Sequence, residues 1–215
     1  MDNTTIPAGN PTPDLKSTYF WEGEKIRLRA YQEKDGAAWL EDNLDSESRR
    51  TLNPGIELPK TEAAAAELFK KFGDFRSQNE RIFFTIETLA GEIVGGININ
   101  SINTTHGTFC VGGLIHRKHR GHGYYEEAKR LVFRYCFHEL RLNKYNAGLI
   151  ETNQGMIRHV TRMGCQPEGR RSQMFYTNGR YYDEILFGLT REQFDAWEAA
   201  RSNTRPISVD EQGSE

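Results

Sequence analysis

Apolar residues recur at two different periods along this chain, and the changes of period predict its elements. Ile26 and Leu28 alternate with Arg27 and Arg29, a spacing of two that predicts a short strand. Residues 36–44 read as helix, with Leu40 and Leu44 four apart, and Asn53-Pro54-Gly55 marks a turn. Thr61 is placed to cap a further helix that carries Ala65, Leu68, Phe69 and Phe72 on one face. Strand spacing returns over residues 81–87, where Ile82, Phe84 and Ile86 alternate with other residues. Ala90-Gly91 reads as a hairpin turn into a second strand, 93–99, and a third follows at 108–115.

From Tyr124 the period lengthens. Ala128, Leu131, Val132, Tyr135 and Cys136 fall at i, i+3, i+4, i+7 and i+8, the stripe of a helix with one buried face. Residues 144–150 return to strand, and 153–163 form a short helix with Gly164 as its left-handed cap. Two last strands, 169–176 and 180–189, join at Asn178-Gly179, a strong hairpin signal. The order predicts an α/β fold, a mixed sheet with helices on its faces.

The length, 215 residues, suits one well-buried domain and is short for two. Residues 1–20 read as a flexible leader, 21–200 as the domain and 201–215 as a flexible tail, because the ends offer little to bury. No run of about 18 apolar residues occurs, so no membrane span is expected. The start of the chain lacks the features of a secretory signal. A net charge of -2 speaks against a large nucleic-acid face. Cys110, Cys136 and Cys165 form no CxxC pair, and an odd count suits a reducing compartment. A cytoplasmic protein is expected, with no metal, nucleic-acid or membrane partner. Cys136 and Cys165 are predicted as core.

Candidate chemistry concentrates in Ile115-His116-Arg117-Lys118-His119-Arg120-Gly121-His122-Gly123-Tyr124, where a strand ends and the long helix begins. Two glycines let the backbone approach a ligand closely, and the amides of a first helical turn attract an anion. With basic side chains around it, the turn suits a diphosphate. The dinucleotide fingerprint fails, because position 126 is Glu where a third glycine belongs, and no Gly-Lys-Ser/Thr is present for a P-loop. The plainer reading is a basic surface turn.

Lys118-His119-Arg120-Gly121-His122-Gly123 resembles the pyrophosphate loop of the GCN5-related N-acetyltransferases (GNAT), Arg/Gln-x-x-Gly-x-Gly/Ala. Ile26–Arg29 looks like that family's first strand, 91–95 like its β2–β3 hairpin, and 153–164 like its Asn-x-x-Ser-x-x-x-Tyr-x-Lys-x-Gly-Phe segment. Residues 178–183 and 189–194 resemble the branch that acetylates protein N-termini and ribosomal proteins. The resemblance implies a single, mostly antiparallel sheet splayed at its middle, with acetyl-CoA as cosubstrate and a primary amine as acceptor. A protein N-terminus comes first among acceptors, and a polyamine or aminoglycoside next.

By the same resemblance, the backbone groups of Leu114 and Ile115 would contact the acetyl-pantetheine arm, with His116 and His119 also among the cofactor-binding residues. Backbone N–H groups of Arg120, Gly121, His122, Gly123 and Tyr124 would hold the diphosphate, with Lys118 and Arg120 adding charge. Asn153 would bond the pantetheine arm, a role compatible with capping its own helix. Val160 and Met156 stand where the family has its Tyr or Ser acid, and Cys110 where an acidic residue is common. His116, His159 and Glu151 are the remaining candidates for proton transfer. Tyr125 is expected to narrow the groove, and Glu126 to repel a diphosphate if it faces inward. The acidic run Glu33, Asp35, Glu41, Asp42, Asp45 and Glu47 could draw a cationic acceptor, its plainer reading being a solvated helix face. Arg170, Arg171 and Arg180 point the other way. A non-catalytic acyl-CoA-binding or protein-interaction module that keeps the fold is the alternative function, and either a monomer or a homodimer suits the family.

Overall fold

A computed structural model describes residues 19–32, 45–52 and 81–203, with isolated positions between 35 and 67. Seven strands form one sheet in the order β1-β2-β3-β4-β5-β7-β6. They are β1 Ile26–Ala30, β2 Arg81–Thr88, β3 Ile93–Asn103, β4 Thr108–Ile115, β5 Lys144–Ile150, β6 Gln166–Thr177 and β7 Arg180–Thr190. Neighbours are antiparallel except β4 and β5, which gives the mixed α/β sheet that the periodicity predicts. The β6–β7 turn forms at Asn178 and Gly179 with φ of 52° and 80°, left-handed values that match the twist of the flanking strands.

Helices accompanying the sheet among the described residues are α1 Ser46–Leu52, α2 Tyr124–Arg134, α3 Gln154–Arg162 and α4 Arg191–Asn203. A π-helical turn, Tyr135–Glu139, continues α2. The stripe on α2 is buried as its spacing requires, with Ala128, Leu131, Val132 and Cys136 in the core and Tyr135 packed against it. It covers Ile26 and Leu28 of β1, Ile97 and Ile99 of β3 and Phe109 of β4. Phe109, Phe133, Phe137, Tyr145 and Phe194 meet edge-on or tilted with centroids 4.7 to 5.8 Å apart. Full burial of each such ring stabilises the fold by about 1.5–3 kcal/mol. Cys165 is buried as well.

The pattern missed two helices. α1 contains one apolar residue, Leu52, and buries none, so it has no hydrophobic period to detect. α4 contributes two apolar residues to the packing, Phe194 and Trp197, too few for a detectable period. It runs to Asn203, beyond the expected domain limit at 200. β6 begins at Gln166, three residues before its expected start at 169. Gly36 and Ala38 are helical as expected, and the Thr61 hydroxyl accepts from the Ala64 amide at 3.2 Å. The turn at 53–55, the remainder of the helix at 36–44, and Ala65, Leu68, Phe69 and Phe72 lie outside the described residues.

The acidic run is not simply a solvated face. Asp35 is fully buried, bonded by Arg29 through two nitrogens and by the Thr85 hydroxyl. Burial alone would raise its carboxyl, yet the Arg29, Gln32 and Thr85 hydrogen bonds outweigh that and hold it low.

Candidate active site

The cleft begins where the sheet parts. β4 and β5 pair only over Thr108–Cys110 and Lys144–Asn146. Their outer ladders continue, β4 with β3 as far as Ile115 and β5 with β7 as far as Ile150. The inner edges of residues 111–115 and 147–150 therefore lack a neighbouring strand among the described residues. The parting starts after Cys110, earlier than the splay expected at Leu114 and Ile115. A cleft of about 1040 Å³ runs through it, lined by Tyr125, Tyr145 and His159 and also by Ser48, Thr51 and Glu184.

The loop after β4 forms one end of this cleft. A short 3-10 turn, Arg117–His119, leads into Gly121 and Gly123, both left-handed with φ of 85° and 81°. Glycine adopts that backbone without strain, which is the local reason for this spacing. The amides of Gly121, His122, Gly123 and Tyr124 donate to no acceptor among the described residues. A side chain added at Gly121 would meet nothing within 4 Å, so the loop is open where an anion would approach. Lys25 Nζ donates to the His122 carbonyl at 3.2 Å and steadies the loop. These features fit a diphosphate.

Leu114, Ile115, His119, Arg120, Gly121, Gly123, Tyr124 and Asn153 all line the cleft, whereas His116, Lys118 and His122 do not. Lys118 is exposed, and the His122 ring stacks on Tyr124 at 5.5 Å. Arg120 is held from two sides: Nε donates to the Ile115 carbonyl at 2.9 Å and Nη2 to Asp45 at 3.0 Å. Asn153 Oδ1 caps α3 by accepting from Met156 N at 3.1 Å, and its Nδ2 faces the Thr51 carbonyl at 3.5 Å. Arg50 donates to Thr177 of β6 at 3.0 Å. Helix α1 is thus tied to the loop, to α3 and to β6, and roofs the cleft.

The three proton-transfer candidates separate. His116 is buried, and its amide donates to the Val94 carbonyl at 2.9 Å. Glu151 is committed to a corner: it pairs with Arg170 and accepts from the Asp183 amide at 3.0 Å. It does not line the cleft, and Arg170 also pairs with Asp183. His159 does line the cleft, with its ring 5.3 Å from Tyr125. Burial, helped by Lys129 and Arg162, pushes His159 down to about 3, so its imidazole is neutral near pH 7. Burial also raises the Cys110 thiol, which leaves it a poor base.

Tyr125 does not simply narrow the groove. It lies over Gly113, where an added Cβ would come within 2.9 Å of its ring. Glu126 is 3.9 Å from both Arg162 and Arg201, which offset its charge at the start of α2. The arginines of the last hairpin are also engaged. Arg171 pairs with Glu184 at 3.0 Å, and Arg180 lies over the Tyr182 ring at 4.9 Å.

Sequence reasoning missed Asn100, Asn146 and Glu184 as cleft residues. The available signal was Gly148 in the middle of β5, since a glycine inside a strand marks a close approach. A Cβ there would lie 2.0 Å from Glu184 Oε1.

Among the described residues no helix is long and apolar enough to cross a membrane, and no three metal-ligating side chains cluster. Residues 25–166 match the family model described as an acetyltransferase (GNAT) domain. The SPbeta prophage-derived uncharacterized N-acetyltransferase YokL of Bacillus subtilis (strain 168) is 30% identical over 176 residues, 82% of this chain and 96% of that protein. The solved spermidine N-acetyltransferase of Vibrio cholerae, in complex with CoA and spermine, superposes with a TM-score of 0.68 at 20% identity, over 79% of this chain and 97% of that one. The apo form of RimL, a ribosomal L7/L12 alpha-N-protein acetyltransferase, gives 0.67 at 16% identity, over 78% and 91%.

Proposed function

The chain belongs to the GNAT acetyltransferase family, and from that premise we propose that it passes an acetyl group from acetyl-CoA to a primary amine by direct attack on the thioester. It is an acyl-CoA-dependent N-acyltransferase. The observation that carries the donor assignment is the loop at 120–124, with open amides at the start of α2 and beside the parted strands. In this reading the amides of Gly121 to Tyr124 hold the diphosphate. The unpaired edge of β4 at Leu114 and Ile115 receives the pantetheine arm, and a backbone N–H there polarises the thioester carbonyl. Asn153 adds a polar contact while it caps α3.

The amine attacks the carbonyl carbon as the C–S bond breaks, and the thiolate takes the electron pair. Positioning supplies much of the rate in such a reaction, so no covalent enzyme intermediate is needed. Of His116, His159 and Glu151, His159 lines the cleft, which supports reading it as the one that would meet the reactants. It would do so as a neutral hydrogen-bonding group.

For the acceptor, we propose a protein N-terminus first and a polyamine or aminoglycoside next. The resemblance of the last hairpin to the ribosomal-protein branch supports the first. So does the exposed pair Tyr176 and Tyr181, with centroids 5.0 Å apart, an apolar ledge suited to a peptide. A specific observation favours the non-catalytic alternative: Met156 and Val160 have no proton to give, and the Cys110 thiol is raised.

Calorimetric titration with acetyl-CoA and desulfo-CoA, followed by thiol release with free-α-amine peptides and spermine, tests the proposal. Micromolar binding of both cofactors and amine-dependent thiol release are expected. Absence of acetyl-CoA binding would overturn it. Binding without amine-dependent release would favour the acyl-CoA-binding module.

A further inference from the structure

β7 presents a carboxylate to the cleft that the family resemblance did not single out. Glu184 is buried, 8% exposed, and pairs in register with Ile150 at the end of β5. Partners in an antiparallel ladder share a face, so Glu184 stands on the face that carries Gly148 and Asn146. Cys110 is aligned with Asn146, and Asn100 with Cys110, so these side chains also occupy that face. Ser48 and Thr51 of α1 line the same cleft, and Tyr125 lies on the opposite side of the sheet, over Gly113.

The two oxygens of Glu184 differ. Oε2 accepts from Arg171 at 3.0 Å, and the Arg171 side chain is 58% exposed. Oε1 lies over Gly148, 2.0 Å from where a Cβ would stand, and accepts from no donor among the described residues. One oxygen is therefore fixed, and the other is presented across a strand that lacks a side chain at that point.

The other carboxylates of the cleft are engaged, and His159, pushed down to about 3, is a neutral imidazole and a weak base near pH 7. Asp45 is bonded by Ser48 and Arg120, Glu126 faces Arg162 and Arg201, and His119 Nε2 lies 3.4 Å from Glu92. Cys110 is a raised thiol, and Tyr125 is raised by burial as well. Asn100 and Asn146 supply neutral amides that can orient a polar group and carry no charge.

Resting on the acetyltransferase reading, we propose that Glu184 is the catalytic carboxylate that receives the acceptor as an aliphatic primary ammonium and takes its proton. Oε1 accepts a hydrogen bond from R–NH3+ and removes one proton, leaving R–NH2 with a free pair. That pair forms the N–C bond, and the thiolate leaves with the C–S pair. The remaining excess proton on nitrogen passes to the thiolate, giving the amide and CoA thiol. Glu184 releases its proton to water, so one proton appears per turnover. In this chain the acid–base carboxylate stands on β7, and the corresponding place on β4 is a thiol.

The test compares wild type, Glu184→Gln and Gly148→Ala with spermine and a peptide bearing a free α-amine. Gly148→Ala keeps the carboxylate but displaces Oε1. In both variants kcat/KM for the amine is expected to fall about 10²–10⁴-fold. The Kd for acetyl-CoA should stay within twofold of wild type. With desulfo-CoA bound, titration of spermine and of the peptide should show weaker amine binding in Glu184→Gln, by tenfold or more. Amine kinetics and amine affinity within threefold of wild type in Glu184→Gln would overturn the proposal. The acetyltransferase reading fails separately, on wild type alone, if acetyl-CoA does not bind.

Discussion

Arg120 and Asp45 link the two sides of the cleft: the guanidinium of the loop donates to the carboxylate that begins the roof helix, at 3.0 Å. Asp45 also accepts from the Ser48 amide at 3.2 Å and the Ser48 hydroxyl at 2.7 Å, which makes it the cap of α1. Burial alone would raise its carboxyl, but the bonds from Ser48 and then Arg120 outweigh that and hold it below the ordinary range. A depressed carboxylate contributes stability that is complete above the unfolded pKa and lost as pH falls through the folded value. Asp45→Ala should destabilise by about 1 kcal/mol in urea at neutral pH, the usual cost of a lost cap. Its difference from wild type should shrink on acidification.

Lys129 should make the protein more stable when it is removed. Its ammonium is fully buried and has no hydrogen-bond acceptor among the described residues. It lies 4.5 Å from the centroid of Tyr145 and 5.4 Å from that of Phe133. Ring faces offset part of the desolvation. Burial still pushes the amine down to about 8. Between that value and 10.5 the unfolded chain binds the proton more readily, so stability rises with pH across this window. Below it the full penalty, about 3 kcal/mol, applies. Lys129→Met should raise the urea midpoint at pH 7 and abolish the alkaline rise.

His159 sets the acid limb. Its folded value of about 3 lies below the ordinary 6.5, so as pH drops beneath 6.5 the unfolded state takes up a proton that the folded state refuses. Stability should fall by about 2 kcal/mol between pH 7 and pH 5 from this group. Urea unfolding at both values, compared with His159→Leu, measures it. A similar loss in the variant would assign the acid limb elsewhere.

Gly121→Asp separates charge from fold. The backbone there is left-handed, a region Asp and Asn tolerate better than other side chains, and space is open around an added Cβ. Gly121→Asn should retain most acetyl-CoA affinity, while Gly121→Asp should lose it beyond calorimetric detection. Equal binding by both would show that the diphosphate lies elsewhere.

The sequence made the sheet legible because its strands and α2 bury one face each, which imposes a period. The loop was legible because glycines at 121 and 123 have a backbone reason to be there. Helix α1 was not, since Asp45, Ser48, Arg50 and Thr51 form it through polar ties to Arg120, Thr177 and Asn153, residues far away along the chain. Glu184 was hidden for a similar reason. Only the register of β5 against β7 puts it on Gly148, and no local pattern encodes register between distant strands. The expectations for His116 and Glu151 drew on nearness in sequence to β4 and β5, but the first turns into the protein and the second into an ion-paired corner.

The early end of the β4–β5 ladder leaves the β5-facing backbone groups of Val111 to Leu114 with no strand beside them among the described residues. Peptide groups in that condition pair with water or with whatever enters the cleft. An extended, amide-bearing guest in the proposed donor site would occupy the place of that strand and complete the sheet. Hydrogen exchange would record this as slowed amides along one edge of β4, while the edge already paired with β3 stays as it was.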